Sequence, residues 1–378
     1  MNANIELQKK NVRRIVIKVG TSMLTTTKDH FSLSRVNQLI NQIARLRSKG
    51  KQIIVVSSGA IACGMDTLKL SLRPKTLPEL QACAAIGQGK LMKAYEDAAS
   101  KHGFHTAQIL LTRDSLDDRV RYLNFRNTLN SLVALEVVPI VNENDTVSTD
   151  EIRFGDNDML SALIATVVQP DLLVLLTDVE GLINRTTRER ISRILSIAEL
   201  DHAIENHIYD EAKQHTVGGM FAKLKAVRVA MQSGVPAVMA DGKSEDILED
   251  ILAGKDCGTF FIPTNSRMKA KKQWLAHNAK VKGTIGVDAG AYAALVSSGK
   301  SLLASGVKRI GGKFKEGDIV AVCDQNGHEF AKGLVNYSYE DLSKIMGKKS
   351  SEIRDILKDT PFQEVIHRDN LAVLLEKE

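Results

Sequence analysis

Apolar residues along the chain gather in short blocks, and the stretches between the blocks carry helical spacing. Residues 13–19 form one block that stops at Gly20, and residues 51–57 form another that stops at the turn containing Gly59. Between them, Leu33, Val36, Leu39, Ile40, Ile43 and Leu46 recur at intervals of three and four, the period of a helix with one buried face. Gly50 follows as a helix-stop signal. The alternation predicts further helices over 78–101, 121–135, from about 158, and 221–233. It predicts strands over 106–111, 137–141, 172–176 and 235–240. Strands that are apolar throughout, alternating with helices, belong to a sheet buried on both faces. The fold class is therefore α/β, an open and mainly parallel sheet sandwiched by helices.

The pattern changes near 263. A basic stretch over 267–275 precedes short segments rich in turns, and Asn326-Gly327 between two apolar runs signals a hairpin. The expected organisation is an α/β domain over 1–265, a linker over 266–280, a small, mostly β domain over 281–360, and a tail over 361–378. A chain of 378 residues is long enough for two cores.

Composition narrows the function. No run of about eighteen apolar residues occurs, and the first residues are polar, so neither a membrane span nor a signal core is expected and the cytoplasm is the expected location. Cys63, Cys83, Cys257 and Cys323 are too dispersed for a zinc site or a disulfide framework. A net charge of +6 suits an enzyme with anionic substrates and also weak nucleic-acid contact. Aromatic residues that would stack on bases are sparse, which weighs against nucleic acid as a partner.

Ligands of open α/β sheets lie beyond the carboxyl ends of the strands. Lys18-Val19-Gly20-Thr21-Ser22 ends the first strand and Ser57-Ser58-Gly59-Ala60 ends the second. Either turn alone equally suits an ordinary strand-to-helix connection. No G-x-x-x-x-G-K-[ST] and no G-x-G-x-x-G follows the first strand; Gly299-Lys300-Ser301 lacks the first glycine, because Ala294 stands there. The loop after the strand at 137–141 concentrates carboxylates and amides: Asn142, Glu143, Asn144, Asp145, Glu151, Asp156, Asn157 and Asp158. Turn and cap chemistry explains some of them, and an ammonium or lysine partner would explain the others. Thr177-Asp178 ends the next strand, and Gly218-Gly219-Met220 opens a helix that carries Lys223.

Taken in order, these segments resemble the amino-acid kinase family. They are Ile-Lys-Val-Gly-Thr-Ser (17–22), Ser-Ser-Gly-Ala-Ile-Ala-Cys-Gly (57–64), Pro-Ile-Val-Asn-Glu-Asn-Asp-Thr-Val (139–147), Gly-Asp-Asn-Asp-Met-Leu-Ser-Ala-Leu (155–163), Leu-Leu-Thr-Asp-Val-Glu-Gly-Leu (175–182) and Gly-Gly-Met-Phe-Ala-Lys (218–223). Within the family they are most similar to the members that phosphorylate free glutamate. The region after 280, with Asp-Ala-Gly-Ala at 288–291, looks like a PUA domain.

The resemblance implies that Lys18 and Lys223 contact the phosphoryl groups and that Asp158 orients both lysines. It implies that Ser58, Asp145 and Asn157 bind glutamate. It places Gly20, Thr177, Asp178 and the segment Val217, Gly218, Gly219, Met220, Phe221, Ala222 and Lys223 at ATP, which arrives with Mg2+. It further implies a homo-oligomer, dimer or tetramer, with proline as inhibitor and a glutamyl phosphate reductase as the next enzyme. Val217, Phe221-Ala222 and residues 182–185 depart from the family pattern. Acetylglutamate or aspartate as acceptor, or an RNA-binding role for the PUA domain, are the alternatives. A carboxylate acceptor, with an ordinary pKa of about 4.3, is already ionised and needs no general base; the motifs hold no histidine in that role.

Overall fold

The structure, a computed structural model, describes residues 12–26, 30–112, 119–147, 156–184, 187–211, 219–263, 281–357 and 363–374. The chain divides into two compact units, Met1–Thr264 and Asn265–Glu378. In order, the first unit contains β1 (Arg14–Val19), α1 (Leu33–Ser48), β2 (Gln52–Ser57), α2 (Ala60–Thr67), α3 (Leu77–Ser100), β3 (Thr106–Leu111), α4 (Arg119–Ala134), β4 (Val138–Glu143), α5 (Asp156–Val168) and β5 (Leu172–Thr177). It continues with β6 (Arg193–Ile194), α6 (Ile197–Glu211), α7 (Gly219–Gln232), β7 (Ala237–Asp241), α8 (Ile247–Leu252) and β8 (Thr259–Phe261).

The eight strands form one sheet in the order β3-β4-β2-β1-β5-β7-β8-β6. Strands β3, β4, β2, β1, β5 and β7 are mutually parallel. Strand β8 runs antiparallel to β7. The parallel strands therefore end on one edge of the sheet, where the turns singled out above converge. The strand predicted at 137–141 runs on through Asn142 and Glu143, which lie in the strand rather than in the loop after it. Strand pairing carries these polar residues: Leu110 and Leu111 of β3 lie opposite them.

Alternate residues of a strand face opposite sides of its sheet. On β1, Ile15, Ile17 and Val19 join the core covered by α1 and α3, whereas Val16 joins the core covered by α4, α5 and α7. By the same parity, Lys18 belongs to the face of α5 and α7. Ser57 on β2 follows Ile53 and Val55 to the α3 face, and Asn142 on β4 follows Val138 and Ile140 there. Strand parity thus assigns each polar end residue to one layer of helices.

Helices α2 and α3 touch backbone to backbone. A Cβ on Gly87 would lie 1.8 Å from the carbonyl oxygen of Ala60, and one on Gly64 would lie 1.8 Å from that of Cys83. Glycine in a helix costs about 1 kcal/mol relative to alanine, so this close crossing accounts for the glycines.

The second unit contains β9 (Gly283–Val287), α9 (Ala289–Ser298), β10 (Val307–Gly312), β11 (Ile319–Cys323), β12 (Glu329–Leu334), α10 (Tyr339–Ile345), α11 (Ser350–Ile356) and β13 (Leu371–Val373). Its sheet has the order β10-β9-β11-β12-β13. The Asn326-Gly327 hairpin joins β11 to β12, with Gly327 at φ 88°. Among the described residues, three α-helices accompany the expected strands. After 360, β13 pairs with β12, and Val365 and Ile366 are fully buried in the same core. Gly299 is the left-handed cap of α9, which places Gly299-Lys300-Ser301 at a helix end. The basic stretch 267–275 lies outside the described residues. Among the described residues, no helix is long and apolar enough to cross a membrane.

Gly87→Ala must push α3 off α2, because its new methyl meets backbone. The expected loss is roughly 1–3 kcal/mol of unfolding free energy, measured by urea denaturation, and Gly89→Ala, which meets nothing within 4 Å, should not share it.

Candidate active site

Lys18 ends β1 on the face predicted by parity, and α5 and α7 bring one group each to it. Its Nζ lies 2.6 Å from Asp158 Oδ1, and Lys223 Nζ lies 3.4 Å from Asp158 Oδ2. Asp158 is 1% exposed and Lys18 5%. Lys223 also donates to the carbonyl of Gly219 at 3.1 Å, one turn earlier in α7. Charge at contact distance thus holds the group together. Two ammonium groups on one carboxylate leave a net positive charge in a site of low dielectric. Such a charge attracts an anion far more strongly than it would in water. Burial lowers the pKa of Lys18 below 10.5; Asp158 pulls it back up, and Lys223 pushes it down again.

The second group of residues forms an amide network. Asn157, next to Asp158 on α5, donates through Nδ2 to the carbonyl of Ser57 at 3.2 Å, to Ser58 Oγ at 3.0 Å and to Asn142 Oδ1 at 3.0 Å. Its Oδ1 is buried with no hydrogen-bond partner among the described residues. Asn142 Nδ2 in turn donates to Gln88 Oε1 on α3 at 2.9 Å. Beneath the turn, Ser57 Oγ and the buried Tyr95 hydroxyl are 2.8 Å apart. The N–H of Ser58 is engaged with the carbonyl of Val19 at 3.1 Å. It is therefore committed within the fold and not free to donate to a ligand. Gly59 caps α2 at φ 97°, a left-handed conformation suited to glycine. Asp145 is half-buried in the turn after β4.

On the side assigned to the nucleotide, a side chain on Gly20 would begin 3.5 Å from Lys18 Nζ, so glycine leaves that flank of the ammonium uncovered. Thr177 is buried, and its Oγ1 accepts from the N–H of Val179 at 2.9 Å, fixing the turn after β5. Asp178 is exposed, and its charge acts on Lys18. Gly219, Met220, Phe221 and Ala222 form the half-buried first turn of α7, and Lys225 Nζ lies 4.1 Å from the Phe221 ring centre. Val217 and Gly218 lie outside the described residues.

The sequence did not single out Gln88 or Tyr95, and it gave Ser57 and Asn142 no individual role. The available signal for Gln88 was its neighbour Gly87, a glycine inside a helix that only a close approach explains. Among the described residues, no three His, Cys, Asp or Glu side chains converge as a metal cage. With both oxygens of Asp158 facing lysines, the donor set fits a magnesium ion carried in on nucleotide phosphates, its usual mode, better than one held by protein alone.

If Lys18 acts as an ammonium, activity must fall as it deprotonates. The alkaline limb of kcat/KM should then lie below pH 10.5, the ordinary lysine value. Asp158→Asn removes the group that raises the Lys18 pKa, so the limb should move to lower pH. An unmoved limb in that variant, read from rate profiles between neutral pH and 10.5, would assign the titration to another group.

The model of the amino acid kinase family matches residues 13–241, and that of the PUA domain matches 283–357. A glutamate 5-kinase of Caldanaerobacter subterraneus subsp. tengcongensis is 46% identical over 96% of this chain and 98% of its own. A glutamate 5-kinase of Syntrophus aciditrophicus is 43% identical over 99% of this chain and 97% of its own. Among solved structures, carbamate kinase from Giardia lamblia bound to AMP-PNP superposes with a TM-score of 0.50 at 14% identity, covering 67% of this chain and 99% of its own, a likeness of fold. With these matches along its length, the chain belongs to the amino acid kinase family.

Proposed function

We propose that the protein transfers the terminal phosphoryl group of ATP to the side-chain carboxylate of L-glutamate, forming L-glutamyl 5-phosphate and ADP. The observation that carries this reading is the buried pair of lysines on one carboxylate, beside a network of amides, in a chain whose full-length relatives are glutamate 5-kinases. A γ-carboxylate oxygen attacks the terminal phosphorus, and the bond from that phosphorus to the bridging oxygen of ADP breaks. The nucleophile is already an anion, so the protein's task is to bring two negative reactants together. Lys18 and Lys223 offset that repulsion, and Asp158 holds both ammonium groups in place before either reactant arrives. Magnesium, entering with ATP, neutralises phosphate charge. Asn157 Oδ1 and Asp145 suit the ammonium group of glutamate, and Ser58 completes that end of the site.

The product is a mixed anhydride that hydrolyses readily, so the next enzyme must use it promptly, and an activated acyl group of this kind suits a reductase. The sequence of reactions leads to proline, in the cytoplasm, with proline itself as inhibitor. Incubation with ATP, magnesium, glutamate and hydroxylamine should give a hydroxamate, and aspartate or N-acetylglutamate in its place should give far less. Hydroxamate from either of those acids at the glutamate rate would displace glutamate as the acceptor.

Lys223→Ala should lower kcat by about 10²–10³-fold, the usual cost of one group that stabilises transition-state charge, with little change in the glutamate KM. Asp145→Ala should instead raise the glutamate KM and leave the ATP KM nearly unchanged. Steady-state kinetics with each substrate varied in turn measures both effects.

A further inference from the structure

Two backbone groups fix the orientation of three side-chain amides. The oxygen and nitrogen of such an amide are told apart by their partners. The carbonyl of Ser57 can only accept, so the Asn157 atom 3.2 Å away is Nδ2 and the opposite atom is Oδ1. The N–H of Glu143 can only donate, so the Asn142 atom 2.9 Å away is Oδ1, which also accepts from Asn157. Asn142 is left with Nδ2 to give to Gln88, whose nearer atom must then be Oε1. The chain of bonds ends in two buried atoms without hydrogen-bond partners among the described residues: an acceptor, Asn157 Oδ1, and a donor, Gln88 Nε2. A buried amide group left without a partner costs about 1–3 kcal/mol, so a ligand that satisfies both ends gains from them.

An α-amino acid carries a matching pair on one carbon, an ammonium donor and a carboxylate acceptor. We propose that Gln88 is a specificity residue for the acceptor amino acid, its Nε2 donating to the α-carboxylate while Asn157 Oδ1 accepts from the ammonium. This rests on the acceptor being an α-amino acid, as in the reading above. Gln88 is held in register by its neighbour Gly87, which lets α3 close against α2. The asymmetry of the network then discriminates against acids that lack either α-group. It does so at a distance from the phosphoryl chemistry, because the γ-carboxylate alone meets the lysines.

The test compares Gln88→Met and Gln88→Glu in the full chain, with glutamate and ATP varied separately. Both variants lose the donor, so both should raise the glutamate KM by about tenfold or more, the usual effect of losing a hydrogen bond to a charged group, with the ATP KM within about twofold. Gln88→Glu should be the worse of the two, because it sets an anion against the α-carboxylate. A purely structural role through Asn142 demands the reverse order, since Glu keeps an oxygen for Asn142 and Met does not. That reverse order, an unchanged glutamate KM, or equal rises for both substrates would overturn the proposal. A thermal shift on adding ATP alone confirms that each variant is folded, and a variant without it is replaced by Gln88→Leu. Wild-type protein that turned over no glutamate would instead defeat the functional reading.

Discussion

A carboxylate that is 1% exposed survives in a protein interior only if positive charge meets it, and Asp158 has two lysines doing so. Removing such ions from water costs several kcal/mol each, and the pair recovers that only with good geometry. Three elements are bound by that requirement: β1 supplies Lys18, α5 supplies Asp158, and α7 supplies Lys223. The arrangement is overcharged by one positive unit. That excess is a poor choice for stability and a good one for an enzyme whose reactants are both anions. Burial lowers the pKa of Lys18 even with Asp158 beside it, so the carboxylate only partly offsets the cost of burying that charge.

The polar end of the site is built differently. Its amides carry no charge, and their orientation is dictated by the fixed polarity of the Ser57 carbonyl and the Glu143 N–H. Neutral amides can be buried at lower cost than ions. They therefore offer donors and acceptors without attracting every anion. The two halves meet at adjacent residues of one helix, Asn157 and Asp158. Successive helical residues point about 100° apart, so one turns to the β2–β4 side and its neighbour to the lysines.

Glycine plays opposite parts in this frame. At Gly59 it supplies a left-handed backbone that turns the chain from β2 into α2. At Gly64 and Gly87 it supplies absence of volume, so that α2 and α3 come close enough to place Gln88 against Asn142. The first use follows from the turn itself. The second is a packing device whose effect appears at a residue on another element.

The sequence by itself determined the alternation of strands and helices, because burial on both faces of a parallel sheet leaves unbroken apolar runs such as 172–176. It also marked the turns at strand ends, and the order of motifs such as Ile-Lys-Val-Gly-Thr-Ser and Gly-Gly-Met-Phe-Ala-Lys carried the family resemblance. It named Lys18, Asp158 and Lys223, although their meeting across the fold came from strand parity and helix placement. It did not assign a role to Gln88 or Tyr95, because the partners that give them one, Asn142 and Ser57, lie on strands that meet the helix only in the folded chain. Nor did it reveal that the last strand, Leu371–Val373, closes the small sheet, because three residues are too few to show a period. Local pattern records what each segment buries. Which polar atoms are left without partners is decided only when segments far apart in the chain are brought together.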